Sequence, residues 1–234
     1  MSAARLQVGG ITPFTATDFP GRLALAVFIQ GCPWRCGYCH NPHLQPRGPG
    51  AHRWEDVIAL LERRRGLLDG VVFSGGEPTI DPALAGAMAE VRAMGLQVGL
   101  HTACIYPRRL AEVLPLLDWI GFDIKAPYAE YERITGVAGS GEPARECAAM
   151  IVASGVPHEC RTTLHPALLS AGVVEQLADD LAQLGVRHYA LQMFRAQGCG
   201  NKTLADSAAS GYLDAATLAR IGARFDSFTL RLPD

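Results

Sequence analysis

Leu23-Ala24-Leu25-Ala26-Val27-Phe28-Ile29 runs through Gln30 and Gly31 into Cys32-Pro33-Trp34-Arg35-Cys36-Gly37-Tyr38-Cys39, with His40-Asn41-Pro42 directly behind. The first seven residues form an unbroken apolar run, the pattern of a buried strand. The stretch after it holds three thiols within eight residues, where an extended chain would reach about 26 Å. For three sulfurs to ligate one centre, the backbone must coil around it. Gly31, Pro33 and Gly37 suit such a tight, irregular loop. The spacing supplies three thiolates and no fourth. Iron–sulfur clusters are held by Cys thiolates, normally four for a four-iron cube. Three protein ligands would leave one iron open to an outside molecule, which is a catalytic arrangement. The alternative is a structural zinc site, Cys3His, with His40 or His43 as fourth ligand. Zinc loops more usually pair one close cysteine couple with a distant second couple.

Composition narrows the classes. The chain has 234 residues, nearly half of them hydrophobic, and a formal net charge of −2. That is enough apolar material for a sizeable core, and α/β barrels of this size are commonly single domains. The longest basic tract, Arg63-Arg64-Arg65, falls near a predicted helix end, where cations complement the dipole and face water. Nothing argues for nucleic-acid binding. No apolar run reaches the ~18 residues of a membrane span, and the N-terminus lacks a long apolar signal core. Seven cysteines, an odd number with three crowded together, do not read as a disulfide framework. A reducing, cytoplasmic setting is expected, without membrane or nucleic acid.

Outward from the cysteines, strand and helix patterns alternate. Leu6–Thr15 reads as an extended arm. Gln45–Arg53 is a Pro/Gly-rich loop, and Trp54, Val57, Ile58 and Leu61 then keep helical spacing. Strands are predicted at 70–73, 97–102, 119–124, 158–163 and 188–192. Helices are predicted at 81–95, with Asp81 as N-cap and Pro82 at N1, at 107–117 with Pro115 disturbing its end, and at 143–154, 173–184 and 214–224. Ser227–Leu232 is a last strand, expected beside the N-terminal arm. Six strand–helix units in a row argue for an α/β fold with a parallel sheet. Periodicity alone does not separate an open sheet from a barrel. The expected organisation is a single domain, 1–234, with an arm over 1–22 and the β/α body over 23–232.

In parallel β/α folds, functional groups gather at the C-terminal ends of the strands. Ser74-Gly75-Gly76-Glu77-Pro78 follows the second strand; two glycines let backbone carbonyls approach a ligand closely, or simply make a tight turn. His101 and Thr102 end the third strand. Asp123 and Lys125 alternate around Ile124 at the end of the fourth, so they point to one face, as a ligand site or as a salt bridge. Arg161 lies on the fifth strand and Arg195 follows the sixth. Cys147 shares a helical face with Met150 and Ile151 and reads as core. Cys104, Cys160 and Cys199 are scattered, so a single cluster is expected.

Cys32, Cys36 and Cys39, with the aromatic Tyr38 before the last, resemble the C-x3-C-x2-C motif of the radical S-adenosylmethionine (radical SAM) superfamily. The run from Asp18-Phe19-Pro20-Gly21 to Gln30-Gly31-Cys32 and Tyr38-Cys39-His40-Asn41-Pro42 narrows this to the activating enzymes of glycyl-radical proteins. Among them it is most similar to the activases of anaerobic ribonucleoside-triphosphate reductase. The resemblance implies an incomplete (β/α)6 TIM-like barrel and an oxidoreductase carrying one [4Fe–4S] cluster held by the three cysteines. It implies S-adenosylmethionine (SAM) as cosubstrate, cleaved to a 5′-deoxyadenosyl radical that makes a glycyl radical on a partner, with flavodoxin or ferredoxin as electron donor. It assigns Gly75, Gly76 and Glu77 to the SAM amino group, Lys125 to its carboxylate, and Asp123 to the ribose hydroxyl or cation region. Tyr38, Asn41 and Arg161 join them in binding the cofactor. Asp18 and Arg195 face the incoming partner. His101 departs from a carboxylate that some relatives place near a monovalent cation. Rival functions are a pyruvate formate-lyase-type activase, a small-molecule radical SAM enzyme such as a deazaguanine synthase, and a non-enzymatic iron–sulfur carrier or zinc module.

Overall fold

The structure, a computed structural model, describes residues 3–207 and 211–233. Its centre is one sheet of eight strands in sequence order: β1 (Val8–Thr15), β2 (Ala24–Ile29), β3 (Gly70–Gly75), β4 (Gln97–Thr102), β5 (Trp119–Asp123), β6 (His158–Leu164), β7 (His188–Met193) and β8 (Ser227–Arg231). β1 runs antiparallel to β2, and every later pair is parallel. β1 and β8 are the two edges and do not meet, so the barrel is incomplete. The crossovers are α1 (Trp54–Arg63), α2 (Leu84–Ala93), α3 (Pro107–Val113), the pair α4 (Tyr131–Thr135) and α5 (Gly141–Ser154), α6 (Ala171–Leu184), and the pair α7 (Lys202–Ala205) and α8 (Ala215–Gly222).

Strand alternation sorts the side chains. Leu25, Val27 and Ile29 on β2, Val71 and Phe73 on β3, and Ile120 and Phe122 on β5 belong to the main core with the helix residues Trp54, Leu61, Leu84 and Met88. Each such side chain, when fully buried, contributes about 1.5–3 kcal/mol. Intervening positions include Phe28, Ser74, Asp123 and Arg161, which line a cavity. The other end of the interior is floored by a small separate cluster of Phe19, Ala24 and Trp119. Phe19 stacks on Trp119 with 6.0 Å between centroids. A Cβ on Gly70 would lie 3.0 Å from the Phe19 ring, and one on Gly99 would lie 3.3 Å away. The arm before β2 therefore seats an aromatic plug where the strands carry no side chain.

Two expectations are corrected. Ser227–Leu232 does not pair with the arm. β8 lies parallel to β7, in register from His188↔Ser227 to Gln192↔Arg231, while β1 occupies the opposite edge of the sheet. The last helix–strand unit thus extends the parallel order to seven strands. The second crossover helix starts at Leu84 with Ala83 as its cap residue, not at Asp81-Pro82. Asp81 instead ties the arm to this loop: Oδ1 accepts from Ala83 N, and Oδ2 accepts from Gln7 N at 3.0 Å and Arg47 Nη2 at 2.8 Å. The other helices fall within a few residues of expectation, with Gly155 and Gly185 closing α5 and α6 in left-handed conformations, as glycine permits without Cβ strain. The single-domain expectation over 1–234 includes residues 1, 2, 208–210 and 234, which lie outside the described residues.

Candidate active site

A cavity of about 590 Å³ lies at the C-terminal ends of the strands, and Cys32, Cys36 and Cys39 all open onto it. Their loop has no regular structure and is held by bonds to neighbouring segments. Gly31 N donates to Leu44 O at 2.7 Å, Cys32 N to Gln45 O at 2.9 Å, and Arg35 N to Thr135 O at 2.8 Å. Cys39 N closes a turn on Cys36 O at 3.0 Å. The three thiols are free and half-buried. Burial pushes Cys32 up to about 12 and also raises Cys36, Lys125 pulling the second back. Burial thus favours the protonated thiol at Cys32 and Cys36, and a metal centre would displace those protons on binding.

The two-glycine segment is fastened to this loop. Gly76 N donates to Ile29 O and Glu77 N to Gly31 O, at 3.0 and 2.9 Å. A Cβ on Gly75 would sit 2.3 Å from Ile29 N, and one on Gly76 would sit 2.4 Å from Gly31 O. Both glycines line the cavity, but their bareness is demanded by the backbone that leads into the cysteines.

Glu77 is not among the residues that line the cavity. It is fully buried. Oε1 accepts from Thr79 N (3.1 Å), Thr79 Oγ1 (2.5 Å) and Thr102 Oγ1 (2.8 Å), and Oε2 accepts from Ala103 N (2.7 Å). Burial raises its pKa while these four donors oppose the rise. The carboxylate is a strut between the β3 and β4 loops.

Across the cavity, Asp123 accepts from Arg161 Nε at 3.1 Å and faces Lys125 Nζ at 3.5 Å. Burial alone would raise Asp123, but the two cations outweigh it and hold the carboxyl below its ordinary value. Burial works to lower Lys125, and its interactions with Tyr38 and Asp123 overcome this and raise it. Its ammonium lies 5.6 Å from the Tyr38 ring centroid, and Lys125 N donates to Tyr131 Oη at 2.9 Å. The Tyr38 hydroxyl is buried with no hydrogen-bond partner among the described residues. Asn41, Asp18 and Arg195 also line the cavity. Asp18 Oδ2 accepts from Thr15 Oγ1 at 2.7 Å, and its carbonyl lies 2.8 Å from His101 Nε2. His101 is driven down to about 3 by burial and by the Arg161 charge, so the ring is neutral.

Sequence reasoning missed the segment after β7. His40 Nε2 bonds Arg195 O at 3.0 Å, and its ring stacks on Phe194 at 5.7 Å. Cys199 Sγ approaches Gly37 O at 3.6 Å, and Phe194 packs edge-on against the buried His165 at 5.1 Å. The 194–204 segment thus straps the outer side of the cysteine loop. No local signal in the sequence announces it, because every contact spans more than 150 residues or ends in irregular backbone.

Residues 26–170 match the radical SAM superfamily. The chain belongs to the radical SAM superfamily. Membership carries with it a [4Fe–4S] cluster and SAM, and the chain is an oxidoreductase. A relative from Methanocaldococcus jannaschii, described as a glycyl-radical enzyme activating enzyme, is 25% identical over 194 residues, 80% of this chain and 79% of that one. The pyruvate formate-lyase-activating enzyme of Clostridium pasteurianum is 31% identical over 142 residues, 58% of this chain and 59% of the relative. Among solved structures, QueE from Escherichia coli superposes with a TM-score of 0.57 at 17% identity, covering 97% of this chain and 93% of that one; this likeness concerns the fold alone. No described helix is long and apolar enough to cross a membrane.

The donor set fits the cluster better than zinc. Three thiols on one loop match the three protein donors that leave the fourth iron of a cube open, whereas a structural zinc ion needs a fourth protein donor. Of the two histidines that could complete a zinc site, His40 is bonded to Arg195 O and His43 does not line the cavity.

Proposed function

We propose that this protein activates a glycyl-radical enzyme, most specifically an anaerobic ribonucleoside-triphosphate reductase. The observation that carries this is the union, in one cavity, of a three-cysteine loop with an Asp123–Lys125–Arg161 cluster, inside a barrel whose edges do not close. When bound, the cluster and SAM supply a reductive cleavage that yields methionine and a 5′-deoxyadenosyl radical, the species that takes the α-hydrogen of a glycine.

In this proposal Cys32, Cys36 and Cys39 hold the cluster. Lys125, kept protonated by Asp123, meets the SAM carboxylate, and the backbone of Gly75 and Gly76 receives the amino group. Asp123 and Arg161 border the nucleoside, with Tyr38 and Asn41 behind the cysteine loop. Glu77 acts through the loops it joins. Asp18 and Arg195 stand at the mouth toward the partner, whose glycine loop completes the open barrel. Glycine suits this target because no side chain blocks its α-carbon. The electron comes from a flavodoxin or ferredoxin, and the setting is the cytoplasm.

The test is anaerobic incubation with reductant, SAM and the candidate reductase. A glycyl doublet in electron paramagnetic resonance is the expected result. Formation of 5′-deoxyadenosine with no doublet, on a demonstrably competent reductase, removes that partner. The likeness to the Clostridium pasteurianum enzyme makes pyruvate formate-lyase the second substrate to try. A released small-molecule product, formed with neither partner present, would instead place the chain among small-molecule radical enzymes.

A further inference from the structure

Arg35 lies between the first two cluster cysteines and is exposed. Its Nη1 donates to Cys32 O at 2.7 Å and to Trp34 O at 2.9 Å, while its own amide donates to Thr135 O at 2.8 Å. The guanidinium therefore folds back over its own loop and satisfies two carbonyls that no helix or strand partners. Gly136, left-handed at φ 69°, lets the backbone after α4 pass close by: a Cβ there would lie 3.7 Å from Arg35 Cβ. No carboxylate pairs with Arg35 among the described residues. Arg35 is not part of the cavity lining, whereas of the cations that are, Lys125 and Arg161 are committed to Asp123 and Arg231 to Glu159. The loop must gather three thiolates, and an unpaired cation stapled across its first turn suits that task.

We propose that Arg35 is a positioning residue for the iron–sulfur cluster, stapling the first turn of the cysteine loop through the Cys32 and Trp34 carbonyls and supplying a fixed countercharge beside it. The inference rests on the three cysteines holding the cluster. Both carbonyls are met by one terminal nitrogen, Nη1, held at a fixed place in the guanidinium plane that the rotating ammonium of a shorter lysine does not reproduce. Groups that orient ligands from behind commonly change metal affinity about 10- to 100-fold when removed. Charge near a cluster also moves its potential, a cation favouring the more negative, reduced form.

The experiment compares anaerobically reconstituted wild type, Arg35→Lys, Arg35→Gln and, as control, Arg145→Gln, whose exposed side chain bonds only Glu142 on α5. Iron and sulfide content, the rate of visible bleaching under a ferrous chelator, and the reduction potential are measured, with circular dichroism as a check on folding. Arg35→Gln is expected to lose its cluster about tenfold faster or more and to show a more negative potential. Arg35→Lys should keep the potential yet bleach faster than wild type, because the charge stays and the fixed donor goes. The control should match wild type in both. Bleaching of Arg35→Gln within twofold of wild type overturns the staple, and an unmoved potential overturns the countercharge. Wild type that takes up no iron would instead refute the cluster assignment itself.

Discussion

Removing the Glu77 carboxylate tests whether the two-glycine loop and the β4 loop are one mechanical unit. Four donors converge on this side chain: Thr79 N, Thr79 Oγ1, Thr102 Oγ1 and Ala103 N. In Glu77→Ala the two hydroxyls can rotate toward other acceptors, but the two amides, one buried and one partly buried, cannot move. Each orphaned amide costs about 1–3 kcal/mol, and the vacated volume adds to this, so about 3–5 kcal/mol of stability should vanish. Glu77→Gln is milder. Its NH2 can turn to the threonine hydroxyls, which also accept, while its oxygen keeps Ala103 N. Only Thr79 N is then stranded, a loss of about 1–2 kcal/mol. Urea unfolding of the three proteins, with slopes checked for equality, reads both numbers. SAM affinity of the reconstituted proteins should weaken in the same order, since Glu77 holds the two loops together. A Glu77→Ala protein within 1 kcal/mol of wild type would refute the strut. So would a Gln variant as damaged as the Ala variant.

Three further outcomes follow from the same geometry. Serine at Cys32, Cys36 or Cys39 should abolish 5′-deoxyadenosine formation and strip iron below one cluster per chain, measured by colorimetric iron analysis and product chromatography. Lys125→Met should weaken SAM binding about 10- to 100-fold, the range expected for one hydrogen bond to a charged group at about 1.5–3 kcal/mol, read by equilibrium dialysis; an unchanged affinity would free Lys125 from the carboxylate. His101 gives a pH signature. Its folded pKa, about 3 against an ordinary 6.5, means that the unfolded chain binds a proton the folded chain refuses. Its contribution is therefore intact above pH 6.5 and is lost as the pH falls, by up to about 1.4 kcal/mol at pH 5.5 relative to pH 7.5. Chemical denaturation of His101→Gln at these two pH values should show that increment missing, whereas identical pH slopes would refute the burial of a neutral ring.

The strand–helix order was legible because every crossover carries its own local signal. Trp54, Val57 and Leu61 repeat at helical spacing, Gly155 and Gly185 stop two helices, and the β2 run is apolar throughout. What local pattern could not show is which edge the last strand joins. Ser227–Leu232 alternates in a way that suits either neighbour, and only the geometry of the α8 crossover decides for β7. Asp81 misled for a similar reason. Asp followed by Pro is a strong helix-start signal, but the carboxylate is claimed by Gln7 and Arg47, 74 and 34 residues away.

In the site, the residues that type and spacing single out come together on one cavity: three thiols in a coil, and Asp123 with Lys125 two residues on, just past the end of β5. What a local pattern leaves open is a role that depends on what packs behind the residue. Gly75 and Gly76 read either as a close approach to a ligand or as a tight turn, and a Cβ on either would strike the Ile29 or Gly31 backbone. The loop that carries the cysteines and the loop expected to bind SAM therefore cannot shift independently. Glu77 extends the coupling to Thr102 and Ala103, the residues just beyond His101, and His101 in turn bonds the Asp18 carbonyl. A single run of contacts thus links the cysteine loop, the two-glycine turn, the end of β4 and the arm over 1–22. An alanine at Gly76 should then disturb cluster retention as well as SAM affinity. A ligand-only glycine predicts loss of SAM affinity alone, so measuring both on one variant decides between the two roles.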